Sequence, residues 1–173
     1  MLTDWISAID QSALAAALRG SIWVYPIINA AHILGLALLL GAMLVLDIRL
    51  LVQARGLPPA PLAGVLLPAA RCGFALALGS GLLLFVARAA DYAFNPLFQL
   101  KLGLIALALL NVWLAHRLAF WRQIDDHAEA AGDHAGASRA AARSIPTSVR
   151  VTAAISLLTW TTVMIIGRLL GYR

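Results

Sequence analysis

Read for polarity alone, the chain is a succession of four apolar blocks separated by polar breaks. The blocks are Ile22–Leu46, Val65–Ala89, Pro96–Phe120 and Val149–Leu170. Each is near or above the ~20 residues that carry an α-helix across about 30 Å of hydrocarbon. Backbone amides in lipid find no water, so each block is predicted to be a helix that satisfies its own hydrogen bonds. Ahead of them, Thr3–Arg19 repeats Leu2, Trp5, Ile6, Ile9, Ala13 and Ala16 at helical spacing, with Asp4, Ser7, Asp10 and Gln11 on other faces. That pattern predicts one amphipathic helix, lying on the membrane surface or packed over the bundle mouth, with Gly20 as its stop. The predicted fold is all-α: an integral membrane, antiparallel four-helix bundle with an N-terminal interfacial helix, one domain over residues 1–173.

The breaks between blocks have their own signals. Asp47-Ile-Arg49 is expected to end the first span, and the proline-rich run Gly56–Pro61 to turn into the second. Asn95-Pro96 separates the second from the third. Residues 122–147 are polar and alanine-rich and read as a cytoplasmic loop. They repeat Asp-His-Ala at Asp126 and Asp133, so His127 and His134 offer a metal-binding chemistry, against which stand Gly132 and the ordinary reading as a solvated loop.

Composition narrows the class. With 62% hydrophobic and only 12% charged residues, the chain falls far from a soluble domain, where about a quarter of residues are charged. A net charge of +5 would suit nucleic acid in a soluble protein, but here the basic residues cluster at the ends of apolar blocks and no nucleic-acid partner is expected. Arg19, Arg88, Lys101, Arg168 and Arg173 fall on the side of the termini. Arg49, Arg55, Arg71, Arg117, Arg122, Arg139, Arg143 and Arg150 fall on the other. The positive-inside rule turns the richer side to the cytoplasm of an inner membrane and leaves both termini outside. The lone Cys72 excludes an internal disulfide. The opening Met1–Ile6 lacks the basic start and apolar core of a cleavable signal.

Candidate chemistry centres on His32, which with Asn29 is the obvious polar presence in the first span. An ionisable group at that depth costs a few kcal/mol on insertion scales and usually has a partner or a task. Three readings compete: a structural histidine bonded to a hydroxyl such as Ser80 or Thr159, a haem or metal ligand, and a proton relay. By helical rise, His32 lies roughly 15 Å in from the outer end of its span, whereas Arg88, Lys101 and Arg168 lie within about 3–8 Å of that boundary. A haem b on His32 would aim its propionates at those cations, with Gly35 and the Gly79/Gly81 pair leaving room for a porphyrin face. Snorkelling of basic residues at helix ends explains the same cations without a ligand. For the opposite axial position, Met164 and Lys101 are closer in depth than His116, which falls roughly 13 Å deeper. In the fourth span, Thr152, Ser156 and Thr159 form one stripe, and Trp160, Met164 and Arg168 another.

The pattern His32…Gly41…Leu46-Asp-Ile-Arg49-Leu, with Leu97-Phe-Gln-Leu-Lys101-Leu opening the third span, resembles the haem-binding four-helix protoporphyrinogen IX oxidases and touches the copper-resistance protein D family. Tyr25-Pro-Ile-Ile-Asn-Ala-Ala-His32 is similar to bacterial membrane proteins of unknown function. The resemblance implies His32 as a haem ligand and Lys101 as a functional cation or second ligand. It covers two core helices. Asp47 beside Arg49, the additional N-terminal helix and the long loop before the fourth span depart from the oxidase pattern. The function expected is that of a membrane b-type haem protein in electron transfer or an oxidoreductase reaction, drawing on a quinone or porphyrin donor. The alternative is a copper-handling protein or an accessory subunit, with a membrane-protein partner or a second copy of itself. For copper, only Met43, Met164, Cys72 and the initiator Met1 supply sulfur, and they are scattered.

Overall fold

The computed structural model describes residues 1–52, 59–117 and 145–171. Among these every regular element is helical, and four helices are long and apolar enough to cross a membrane. They are α3 (Val24–Val52), α4 (Pro59–Ala87), α6 (Pro96–Arg117) and α7 (Thr147–Leu170). The loop expected over 122–147, with His127 and His134, falls almost wholly outside the described residues.

The segment before the first span is two helices rather than the single one predicted. α1 (Leu2–Asp10) stops at Gln11, and α2 (Ala13–Gly20) restarts from Ser12, whose hydroxyl accepts the Ala15 amide at 3.2 Å. A serine that caps one helix cannot also continue the helix before it, so the chain turns there. The pair packs on the bundle through α4 and the short α5 (Ala89–Ala93). Arg19 fastens it, donating to the Ala87 carbonyl at 2.9 Å and to the Asp10 carbonyl at 2.7 Å. Trp5 and Trp23 remain exposed at this end, as aromatic side chains at a membrane boundary do.

The spans start and stop a few residues from their predicted limits, for identifiable reasons. α3 runs through Asp47 and Arg49 to Val52, because apolar residues resume after them and Leu50 is fully buried beside Leu46. α4 begins at Pro59 within the expected turn, since a proline in the first turn forfeits no helical hydrogen bond. α7 opens two residues early, behind Pro146.

The bundle is a row rather than a closed ring. α3 packs against α4 on one flank and α7 on the other, and α6 packs on α7. α3 and α4 cross at near-backbone contact because Gly35 and Gly73 carry no side chains there. α4 and α6 meet at the N-terminal end, where Phe85 stacks on Phe98 at 5.4 Å and Tyr92 stacks on the same ring. Below that stack, among the described residues, their backbones do not approach closely. Two apolar clusters hold the rest. One joins Leu39, Leu40, Ala70, Ala108 and Trp160 near mid-span, and another joins Leu46, Leu50, Ala63, Val149 and Ala153 at the far end.

Candidate functional site

Two polar sites sit on α3, one turn-rich stretch apart. At 1.5 Å per residue, His32 and Asp47 are about 22 Å apart along the helix.

His32 points across to α4. Its Nδ1 lies 2.9 Å from the Ala77 carbonyl oxygen and 3.2 Å from Ser80 Oγ. A carbonyl only accepts, so Nδ1 carries the proton and donates it to Ala77. Ser80 gives its own proton to the Leu76 carbonyl at 2.5 Å, which leaves its oxygen as an acceptor toward the ring. In the neutral form of the imidazole the lone pair then lies on Nε2, for which no hydrogen-bond partner is found among the described residues. The half-buried ring rests on Gly81, where an added β-carbon would come within 3.0 Å of Cε1. The hydroxyl expected of Ser80 is thus in place, and that of Thr159 is not: Thr159 donates to the Ile155 carbonyl of its own helix.

The other residues expected around a haem are distributed unequally. Lys101 is half-buried, extends over Gly167 of α7, and lies within electrostatic reach of His32. Arg88 and Arg168 are exposed at the same end of the bundle. Met164 is 46% exposed on the outside of α7 and does not face the interior. Gly35 leaves no gap for a flat ring, because the backbone of Ala77 and Gly73 already fills the space beside it. Gly79 has open space around it but on an exposed face of α4. Gly81, its neighbour, is covered by His32 itself. Asn29 is exposed on the outer surface of α3. His116 donates Nδ1–H to the Val112 carbonyl at 2.8 Å one turn back and lines the far cavity described next, well away from His32.

That cavity was not legible as a site in the sequence. It measures about 210 Å³, lies between all four spans, and is partly open to the exterior. Its walls are chiefly Leu39, Met43, Leu67, Phe74 and Leu109, with Asp47, Asn111, Ser156 and Trp160 set among them. Asp47 faces Ser156 across the α3–α7 contact, within reach of its hydroxyl but without a hydrogen bond of good geometry. Asp47 Oδ2, Ser156 Oγ and Trp160 Nε1 are all buried without a hydrogen-bond partner among the described residues. Asn111 donates to the Thr152 carbonyl at 3.0 Å, tying α6 to α7. Arg71, exposed on α4, stands at the rim. Two signals could have pointed here: apolar residues resuming behind Asp47, and Asn111 as the lone polar residue in the run Leu102–Ala115.

Among the described residues no three His, Cys, Asp or Glu side chains gather to hold a metal ion. Of the sulfurs, Cys72 is free and exposed, Met164 faces outward, and Met43 lines the cavity. No family model, curated protein or solved structure matches this chain.

Proposed function

We propose that this multi-pass membrane protein binds a b-type haem through His32 and serves electron transfer in the membrane. The observation that supports this best is the hydrogen bond from Nδ1–H to the Ala77 carbonyl. Histidines that ligate a metal typically spend one ring nitrogen on such a backbone carbonyl, which fixes the tautomer and directs the other lone pair outward. Here Nε2 is the nitrogen so prepared. The flank between α4 and α6, whose backbones do not come close among the described residues below the Phe85–Phe98 stack, is where a flat group could lie, since Gly35 offers none.

A haem in that place would supply one-electron exchange, at a potential set by its axial ligands and their surroundings. The chain would contribute the Nε2 donor, the Lys101 cation within reach of it, and Arg88 and Arg168 as counter-charges for propionates at the same end. Of the expected second ligands, Lys101 fits better than Met164 or His116, and in that role it would bind as the free amine rather than as the cation. The electron donor would be a lipid-soluble quinone or a porphyrin. The arginine bias favours an orientation with both termini outside an inner membrane.

The test is haem content per chain, measured as the pyridine haemochrome of protein expressed with ample haem supply. Near one haem per chain in wild type and a loss of most of it in His32→Ala supports the reading. Haem-free wild type, or His32→Ala loaded like wild type, overturns it.

One observation favours a second reading, an accessory or self-associating subunit. Asn29 exposes an amide on the surface of a membrane span, where contact with another helix would satisfy it better than lipid. Cross-linking through Asn29→Cys in intact membranes, giving a defined larger species, would support it. Purely monomeric protein would count against it.

A further inference from the structure

The far cavity carries chemistry that the His32 site does not use. Asp47, Ser156 and Trp160 are 3%, 4% and 5% exposed; Trp160 Nε1 has no hydrogen-bond partner among the described residues, and Asp47 and Ser156 stand within reach of each other without a bond of good geometry between them. A buried polar group left so is costly. Three such side chains around one cavity mark a place shaped for something that completes them.

The three atoms specify what that is. Trp160 Nε1–H can only donate, so it calls for an oxygen with a lone pair. Asp47 Oδ2 accepts, and the Ser156 hydroxyl does either. An ammonium ion would satisfy the carboxylate but could offer Trp160 nothing. A ring bearing carbonyl or hydroxyl oxygens satisfies all three. The size agrees, since an apolar cavity of about 150 Å³ is enough to take up benzene and this one holds about 210 Å³. The walls agree too: Phe74 and Trp160 stand edge to face at 6.5 Å, and leucines complete the lining. An approach from lipid lies between α4 and α6, which both line the cavity and whose backbones do not come close among the described residues.

We infer that this cavity binds the ring of a lipid-soluble quinone or its quinol. Trp160 Nε1–H and the Ser156 hydroxyl donate to ring oxygens, and Asp47 Oδ2 accepts from a quinol hydroxyl. The tail leaves between α4 and α6. The inference concerns binding alone and uses neither His32 nor a haem, so it stands or falls separately from the proposed function.

The experiment is equilibrium binding of decyl-benzoquinone and decyl-benzoquinol to the full chain in lipid nanodiscs, with empty nanodiscs as the baseline. Saturable uptake of one molecule per chain above that baseline is expected. Trp160→Phe keeps the ring and removes the donor, and should weaken binding about tenfold, the loss of one buried hydrogen bond. Asp47→Asn should weaken the quinol more than the quinone, and His32→Ala should bind both as wild type does. Ser156→Ala replaces either cavity variant if that variant fails to fold by circular dichroism and gel filtration. Uptake in wild type no greater than in empty nanodiscs would overturn the inference, leaving a cavity that holds water only. So would folded Trp160 and Asp47 variants that bind like wild type, or full displacement of the quinone by decylammonium.

Discussion

Gly35 and Gly73 face each other where α3 crosses α4, each occupying the room a side chain on the other would need. A β-carbon on Gly35 would stand 2.9 Å from the Gly73 carbonyl oxygen and 2.6 Å from the Ala77 amide nitrogen. One on Gly73 would stand 2.8 Å from the Gly35 oxygen. The obstacles are backbone atoms, which cannot swing aside. Because of this contact, α4 comes close enough for the Ala77 carbonyl to reach His32.

Gly35→Ala should therefore force the two helices apart, at a cost of about 1–3 kcal/mol for overpacking. Gly41→Ala, on the same helix with nothing within 4 Å, should be near neutral. Thermal unfolding of both variants in the same detergent checks the contrast. Equal midpoints would mean that the crossing is looser than described.

Asn111→Leu removes the bond to the Thr152 carbonyl while roughly keeping volume. Interhelical hydrogen bonds in membranes average about 0.6 kcal/mol, so the expected loss of stability is below about 1.5 kcal/mol. The measurement is the shift in the unfolding midpoint, and a loss of several kcal/mol would give Asn111 a larger structural role.

Arg19→Met should free the α1–α2 pair from the bundle without disturbing the spans, because Arg19 bonds both the Ala87 carbonyl and Asp10. Amide exchange over residues 1–20 should accelerate markedly, while α3 and α4 exchange as in wild type. Unchanged exchange in α1 and α2 would show that apolar packing alone holds them.

Tyr92, in α5 outside the spans, has its phenol pushed above the ordinary range, chiefly by burial and then by Tyr25 and Asp91, which outweigh Arg88. A raised folded value means that the folded state holds the proton longer than the unfolded chain. The contribution to stability is full below the usual pKa of about 10 and is lost as pH rises through the folded value. In an alkaline titration followed by phenolate absorbance, wild type should show a late-titrating tyrosine that Tyr92→Phe lacks.

The fold was readable because the bilayer imposes a strong condition: four stretches of sufficient length had to be helices. Details set by a few atoms were not. The Ser12 cap split one amphipathic pattern into two helices, and the periodicity of Thr3–Arg19 gave no sign of it. The depth of His32 and its bond to Ser80 were within reach of counting residues and listing nearby hydroxyls. The cavity is harder to read, because Asp47 resembles the end of a span and only the apolar residues behind it, with Leu50 buried, signal otherwise. Ser156 read only as one member of a hydroxyl stripe. What joins these residues is the pairing of α3 with α7, which rests on contacts far apart in sequence.

The most direct test of the central claim is the dithionite-reduced minus air-oxidised absorption spectrum of the purified full chain. A b-type α-band and a shifted Soret band are expected, both abolished by His32→Ala and retained by Asp47→Asn. A featureless difference spectrum from haem-replete cells, or bands that survive the loss of the His32 imidazole, would contradict it.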